Sequence, residues 1–270
     1  MNRRDFLYRA GMTTAGLALR GQARLPAQGE AARWRVFEIT TRVRVMQPRG
    51  ATRVWLPTPL AVAPYQKTMG DTYHPGEGTA VMIETNANEP DILGCSWDEG
   101  VEPVLTLVSR VATKDHHVDL GANAGTDVDR ARAAYDWVAG QTFPDHGTHE
   151  DANASFVGRC RDAGVPARTV YGLGLSSADA TKAQQCRAEV YLTGHGWVPV
   201  DPADARKVFG SWEMNWIAYN FAHDVALRGS NRRPLGYFMY PQGETAEGPI
   251  DSLDPEHFKY SITVEEVTSA

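Results

Sequence analysis

From Trp34 to Val118 the chain is a succession of short β-branched and aromatic runs with strand-like alternation, and that period restricts it to sheet. In Trp34-Arg35-Val36-Phe37-Glu38-Ile39-Thr40-Thr41-Arg42-Val43-Arg44-Val45, residues Ile39, Thr41, Val43 and Val45 alternate with polar or basic neighbours. Such a strand has one face for a core and one for water. Ala51 to Leu56, Thr79 to Glu84 and Val104 to Ala112 repeat the theme. Turn material separates them at Pro48-Arg49-Gly50, Pro75-Gly76-Glu77-Gly78 and Asp98-Glu99-Gly100. An all-β, sandwich-like domain over residues 33–120 is the expectation.

The period changes after Gly121-Ala122-Asn123-Ala124-Gly125. Thr126-Asp127-Val128-Asp129 opens a helix with N-cap chemistry, and Ala131, Ala134, Tyr135 and Val138 share its apolar face. A second helix is expected from Asp151 to Ala163, with Ala152, Phe156, Val157 and Cys160 aligned, stopped by Gly164. Three strands follow, at Arg168–Leu175, Arg187–Leu192 and Gly196–Val200. Residues 126–270 therefore read as an α+β domain with a C-terminal extension.

Two helices before a sheet supply the places that amide chemistry needs. A nucleophile at a helix N-terminus is stabilised by free N–H groups, a base on a strand takes its proton, and an acid on the next strand orients the base. Those places fall at His149, Gln185 and Asp201. The motifs around them resemble the transglutaminase-like family, a papain-like fold, in its exported bacterial branch. The resemblance is carried by Ala131 to Val138, Asp151 to Gly158, Gly164-Val165-Pro166-Ala167-Arg168, Cys186-Arg187-Ala188-Glu189-Val190-Tyr191 and Gly196-Trp197-Val198-Pro199-Val200-Asp201-Pro202. It implies a cysteine nucleophile where this chain has His149 and a catalytic histidine where it has Gln185. Only the acid, Asp201, matches the family's triad.

Cys160 lies about three helical turns beyond His149, and Cys186 is one residue from the base position, so its side chain should face the other way. Glutamine cannot act as a base, but Gln185 can donate a hydrogen bond to Asp201. Arg187 and Glu189 alternate onto the same strand face as Gln185 and, with Trp197, are candidate ligand contacts. Trp212, Trp216, Tyr219 and Tyr237 read as core or interface anchors rather than a groove. His116-His117 reads as a solvated polar stretch. No cofactor is expected.

The first thirty residues form a separate segment. Arg3 and Arg4 precede a weakly apolar run from Ala10 to Leu19 and then small residues, the layout of a twin-arginine export signal. Its removal takes away five arginines and two acids, a net +3, so a formal charge of -6 becomes -9 in the mature chain. Such a surface disfavours nucleic acid and anionic lipid, and no membrane insertion is expected after signal removal. A periplasmic or secreted location follows.

Three functional readings stand. The first is a catalytically degenerate member of the family, a pseudoenzyme whose cleft binds a peptide, a cell-wall fragment or a protein partner. The second is an active, cysteine-independent amide hydrolase or acyl transferase, the chemistry that the resemblance implies. The third is a metal-dependent hydrolase centred on His146 and His149.

Overall fold

The computed structural model describes residues 33–83, 90–121, 125–141, 149–204, 207–221, 223–230 and 232–267. The export signal read over residues 1–30, and His146, lie outside them. The strands are β1 (Arg35–Val45), β2 (Thr52–Pro57), β3 (Val62–Ala63), β4 (Gln66–His74), β5 (Thr79–Ile83), β6 (Ile92–Trp97), β7 (Val104–Thr113) and β8 (His116–His117). Helices α1 (Thr126–Ala139) and α2 (His149–Asp162) follow. Then come β9 (Ala167–Gly174), β10 (Gln184–Leu192), β11 (Gly196–Val200), β12 (Ser211–Trp212), β13 (Trp216–Asn220), β14 (Gln242–Thr245), β15 (Gly248–Ile250) and β16 (Phe258–Val267).

The alternation in β1 becomes a one-sided sheet in the order β16-β1-β7-β4-β3. Phe37, Ile39, Thr41, Val43 and Val45 are all buried, while the intervening residues carry the outer face. That outer face is laced with surface ion pairs such as Arg110–Glu38 and Arg44–Glu102, each worth little by itself. The buried face is long enough to serve two partners. Val43, Val45, Leu105, Leu107 and Phe258 pack on a second sheet, ordered β15-β14-β2-β6-β5. Phe37, Ile39, Val111, Ile262 and Val264 pack on a third, ordered β11-β10-β9-β13.

Both helices cover the far side of that third sheet. Ala131, Ala134, Tyr135 and Val138 of α1 and Ala152, Phe156, Val157 and Cys160 of α2 meet Ala188, Val190, Val198 and Val200 in one buried cluster. The cap of α1 differs from the expectation: Gly125 is the N-cap and makes no side-chain cap bond. Asp127 serves instead, accepting from Val128 N at 2.9 Å and from Thr193 N at 2.6 Å, which ties the helix start to the turn after β10. Gly164 ends the α2 region with φ +76°, a conformation that glycine adopts without cost.

The stretch 126–270, read as one domain with an extension, is divided in the structure. β14 pairs with β2, and β16 pairs with β1 over ten residues from Val36↔Val267 to Val45↔Phe258. The physical reason is the open edges that β1 and β2 would otherwise present to solvent. Among the described residues, no helix is long and apolar enough to cross a membrane.

Candidate functional site

α2 is pinned to the third sheet by a buried polar residue. Asn153 is fully buried, and its Nδ2 donates to the carbonyl of Cys186 at 3.1 Å. Because Asn153 lies one turn into α2, this bond sets the first turn over the start of β10. His149 opens α2; its side chain is outside the described residues. Gln185, the second residue of β10, is exposed and sits opposite Gly172 of β9. Asp201 directly follows β11 and is buried. Since Ala188 pairs with Val200, the register brings Asp201 level with Arg187.

The hydrogen bond expected from Gln185 to Asp201 is not formed. Asp201 Oδ2 is instead taken by Lys207 Nζ at 3.0 Å and approached by Arg187 Nε at 3.5 Å. Glu213 joins both cations, at 2.9 Å from Lys207 Nζ and 3.7 Å from Arg187. Two cations and two carboxylates thus meet in one cluster, and the Asp204 carboxylate acts on Arg187 as well. Lys207 is delivered by a short loop whose ends are fixed from α1, where the Tyr135 hydroxyl lies 3.0 Å from the Lys207 carbonyl and 3.4 Å from that of Asp201. Burial, and then the Asp201 charge, raise the Tyr135 pKa far above the tyrosine range, so the phenol remains a donor.

Arg187 is 5% exposed. Its guanidinium lies 5.0 Å from the Trp212 ring and 4.8 Å from the Trp216 ring, an arrangement that replaces part of the lost hydration by cation–π attraction. Burial lowers its pKa, while Asp201 and Glu213 oppose that shift. Arg187 Nη1 and Asp201 Oδ1 are buried with no hydrogen-bond partner among the described residues. Above the cluster opens a cleft of about 520 Å³, lined by Ser176, Gln185, Arg187, Asp204, Lys207 and Glu213 among others.

Glu189 and Trp197, read as possible ligand contacts, are used internally. Glu189 accepts from the Tyr65 hydroxyl at 2.7 Å and from Arg168 Nε at 2.9 Å. Arg168 is held between the rings of Trp197 and Phe221, 3.9 and 3.6 Å from their centroids. Tyr65 belongs to the β3–β4 turn and stacks on Trp212 at 3.6 Å, so this network joins the first sheet to the third. Burial raises the Tyr65 pKa well above its ordinary value, with Glu189 next in effect. His116, expected in a solvated stretch, is half-buried in the β8–β12 pair, and burial lowers its pKa.

The cysteines occupy three different apolar clusters: Cys160 under α2, Cys186 between the first and third sheets, and Cys95 between the first two. Burial pushes the Cys160 thiol up to about 12. Among the described residues, no group of three or more His, Cys, Asp and Glu is placed to hold a metal. Sequence reasoning missed Lys207, Glu213 and Tyr65. All three come from irregular segments or another layer, and no local pattern marks them.

Residues 139–202 match the model of the transglutaminase-like superfamily. An uncharacterized protein of Haemophilus influenzae is 34% identical across 41% of this chain and 41% of its own length, less than half of either. A solved structure, a candidate cysteine protease from Cytophaga hutchinsonii, superposes with a TM-score of 0.47 at 11% identity, covering 88% of this chain and 93% of its own. The matched segment runs from the end of α1 through α2, β9, β10 and β11 to Pro202, and over that segment the chain is similar to the transglutaminase-like superfamily.

Proposed function

We propose that this is an exported transglutaminase-like protein of the cell envelope whose cleft binds a peptide, cell-wall fragment or partner protein without turning it over. The observation that carries the reading is the occupation of Asp201. An acid in a catalytic triad orients an imidazole and stabilises the imidazolium that forms. Here one carboxylate oxygen is committed to Lys207 at 3.0 Å, and Arg187 adds a second cation to the same group. Gln185 at the base position carries no proton that titrates near neutrality. The three thiols sit in apolar clusters away from the cleft.

The expected outcome with the native protein is no turnover of glutamine or isopeptide substrates and no burst from an activated ester. Burst release abolished by His149→Ala would overturn the reading in favour of an active acyl transferase. The restoring change His149→Cys with Gln185→His, combined with Lys207→Met to free the acid, is expected to gain amidase activity. The same double change with Lys207 retained should gain less, since the lysine holds Asp201. For export, replacing Arg3 and Arg4 by lysine is expected to hold the protein in the cytoplasmic fraction, detected by immunoblot after fractionation.

A further inference from the structure

The first sheet gives only one face to the core. On the other, the alternate residues of β1, β4, β7 and β16 are partly or fully exposed, apart from Ala112. This face looks away from the second and third sheets, so it is separate from the cleft over Asp201. Its register sorts charge along the strands. Lys67 and Val36 both pair with Ala112, and Lys114 follows β7, which places the two lysines at one end. Their Nζ atoms lie 4.7 and 4.8 Å from the centre of a single ring, that of Trp34. At the other end Arg44 is paired with Lys259, and Arg42 precedes it on the same face. From Val36 to Arg44 is about 27 Å of strand.

Between the two ends, Glu38 is paired with Arg110 on one side and with Glu265 on the other. Cations that share one ring, or that face each other across a strand pair, repel. Glu102 takes up Arg44, but Lys67, Lys114, Arg42 and Lys259 make no ion pair among the described residues. The chain carries a formal charge of -6, so two basic poles on one flat face run against its overall sign. Val36 and Val108, both partly exposed, add apolar surface beside the charges.

From this charge pattern we propose that the outer face of the first sheet docks an extended segment of a partner protein, acidic near both ends and free of acids in the middle. Side chains on one side of an extended chain repeat every 6 to 7 Å or so, as do the rows of this face, and about eight residues reach from one pole to the other. The terminal carboxylates relieve the crowded cations, while the uncharged middle passes over Glu38 and Glu265. A broad polyanion is disfavoured, because it would also meet those two glutamates and the acidic remainder of the molecule. A narrow segment meets the face alone.

Fluorescence anisotropy with the native protein at low ionic strength tests the proposal. The probe is a labelled peptide of about ten residues, with glutamates at both ends and threonines between. It should bind saturably and severalfold more tightly than a peptide of the same composition whose glutamates are gathered in the middle. Its affinity should fall severalfold as salt is raised to physiological strength. Lys67→Glu with Lys259→Glu is expected to weaken binding by about tenfold or more at unchanged melting temperature. Arg130→Glu, on α1 in the helix layer of the third sheet, should leave it unchanged. No saturable binding, equal affinity for the two peptides, or native affinity in the double lysine variant would each overturn the assignment. Phosphatidylglycerol vesicles that sediment the native protein but not the double variant would overturn it in favour of a membrane surface.

Discussion

Arg187 and Asp201 show how much one buried charge depends on its neighbours. Each is almost entirely out of solvent, and each needs the other as well as Lys207 and Glu213. Removing either of these two buried charges strands the other without hydration, whereas Glu213 remains partly solvated. Asp201→Asn is therefore expected to destabilise the protein by about 3 kcal/mol, seen as a lower urea midpoint at unchanged slope. Asp201→Leu combined with Arg187→Met should cost less than the two single changes summed, because the interaction is lost only once. Motif spacing put Gln185 near the start of one strand and Asp201 at the end of the next, and β10 and β11 run accordingly. What occupies Asp201 was not legible, since Lys207 and Glu213 reach it from segments with no periodic pattern.

Among the elements, β10 carries most of the site, and its placement rests on a glycine next door. Gly172 of β9 lies between Gln185 on one side and Ala218 of β13 on the other. A Cβ there would sit 1.9 Å from the Ile217 carbonyl and 2.4 Å from the Trp216 ring. Gly172→Ala must push β13 away, and a loss of about 3 kcal/mol or more is expected in urea unfolding, with Trp216 fluorescence reporting the displacement. Strands rich in β-branched and apolar residues, β1, β2, β5 and β7, could be read directly from the sequence. β4 could not, because most of its residues are exposed and it carries a register shift between Thr68 and Gly70. β6 was not read because Gly94 interrupts its short apolar run, although a Cβ built there would meet the Trp55 ring only at 3.4 Å, an ordinary packing distance.

For the molecule as a whole, buried protonated groups set the response to alkali. Burial pushes the thiols of Cys95 and Cys160 up to about 12, and raises the phenols of Tyr65, Tyr135 and Tyr219. Each holds its proton more tightly folded than unfolded. The stability they contribute is intact below the unfolded-chain pKa and drains as pH rises through the folded one. Unfolding free energy should fall between about pH 9 and about pH 12, by about 1.4 kcal/mol per pH unit for each group in its window, measurable by urea melts across that range. The pairing of the C-terminal strands is a second global feature. Their alternation announces strands, but sequence alone does not name β1 and β2 as partners. Deleting residues 242–267 bares both and is expected to yield insoluble protein, scored by fractionation after expression.

β1 and β16 lie side by side, although more than two hundred residues of chain separate them. A ribosome releases the first long before the second, so the outer wall of this sheet stays open throughout synthesis. Only a chain made past β16 can shut it. A product broken off before that strand keeps a sticky, unpaired margin open to capture by proteases or chaperones.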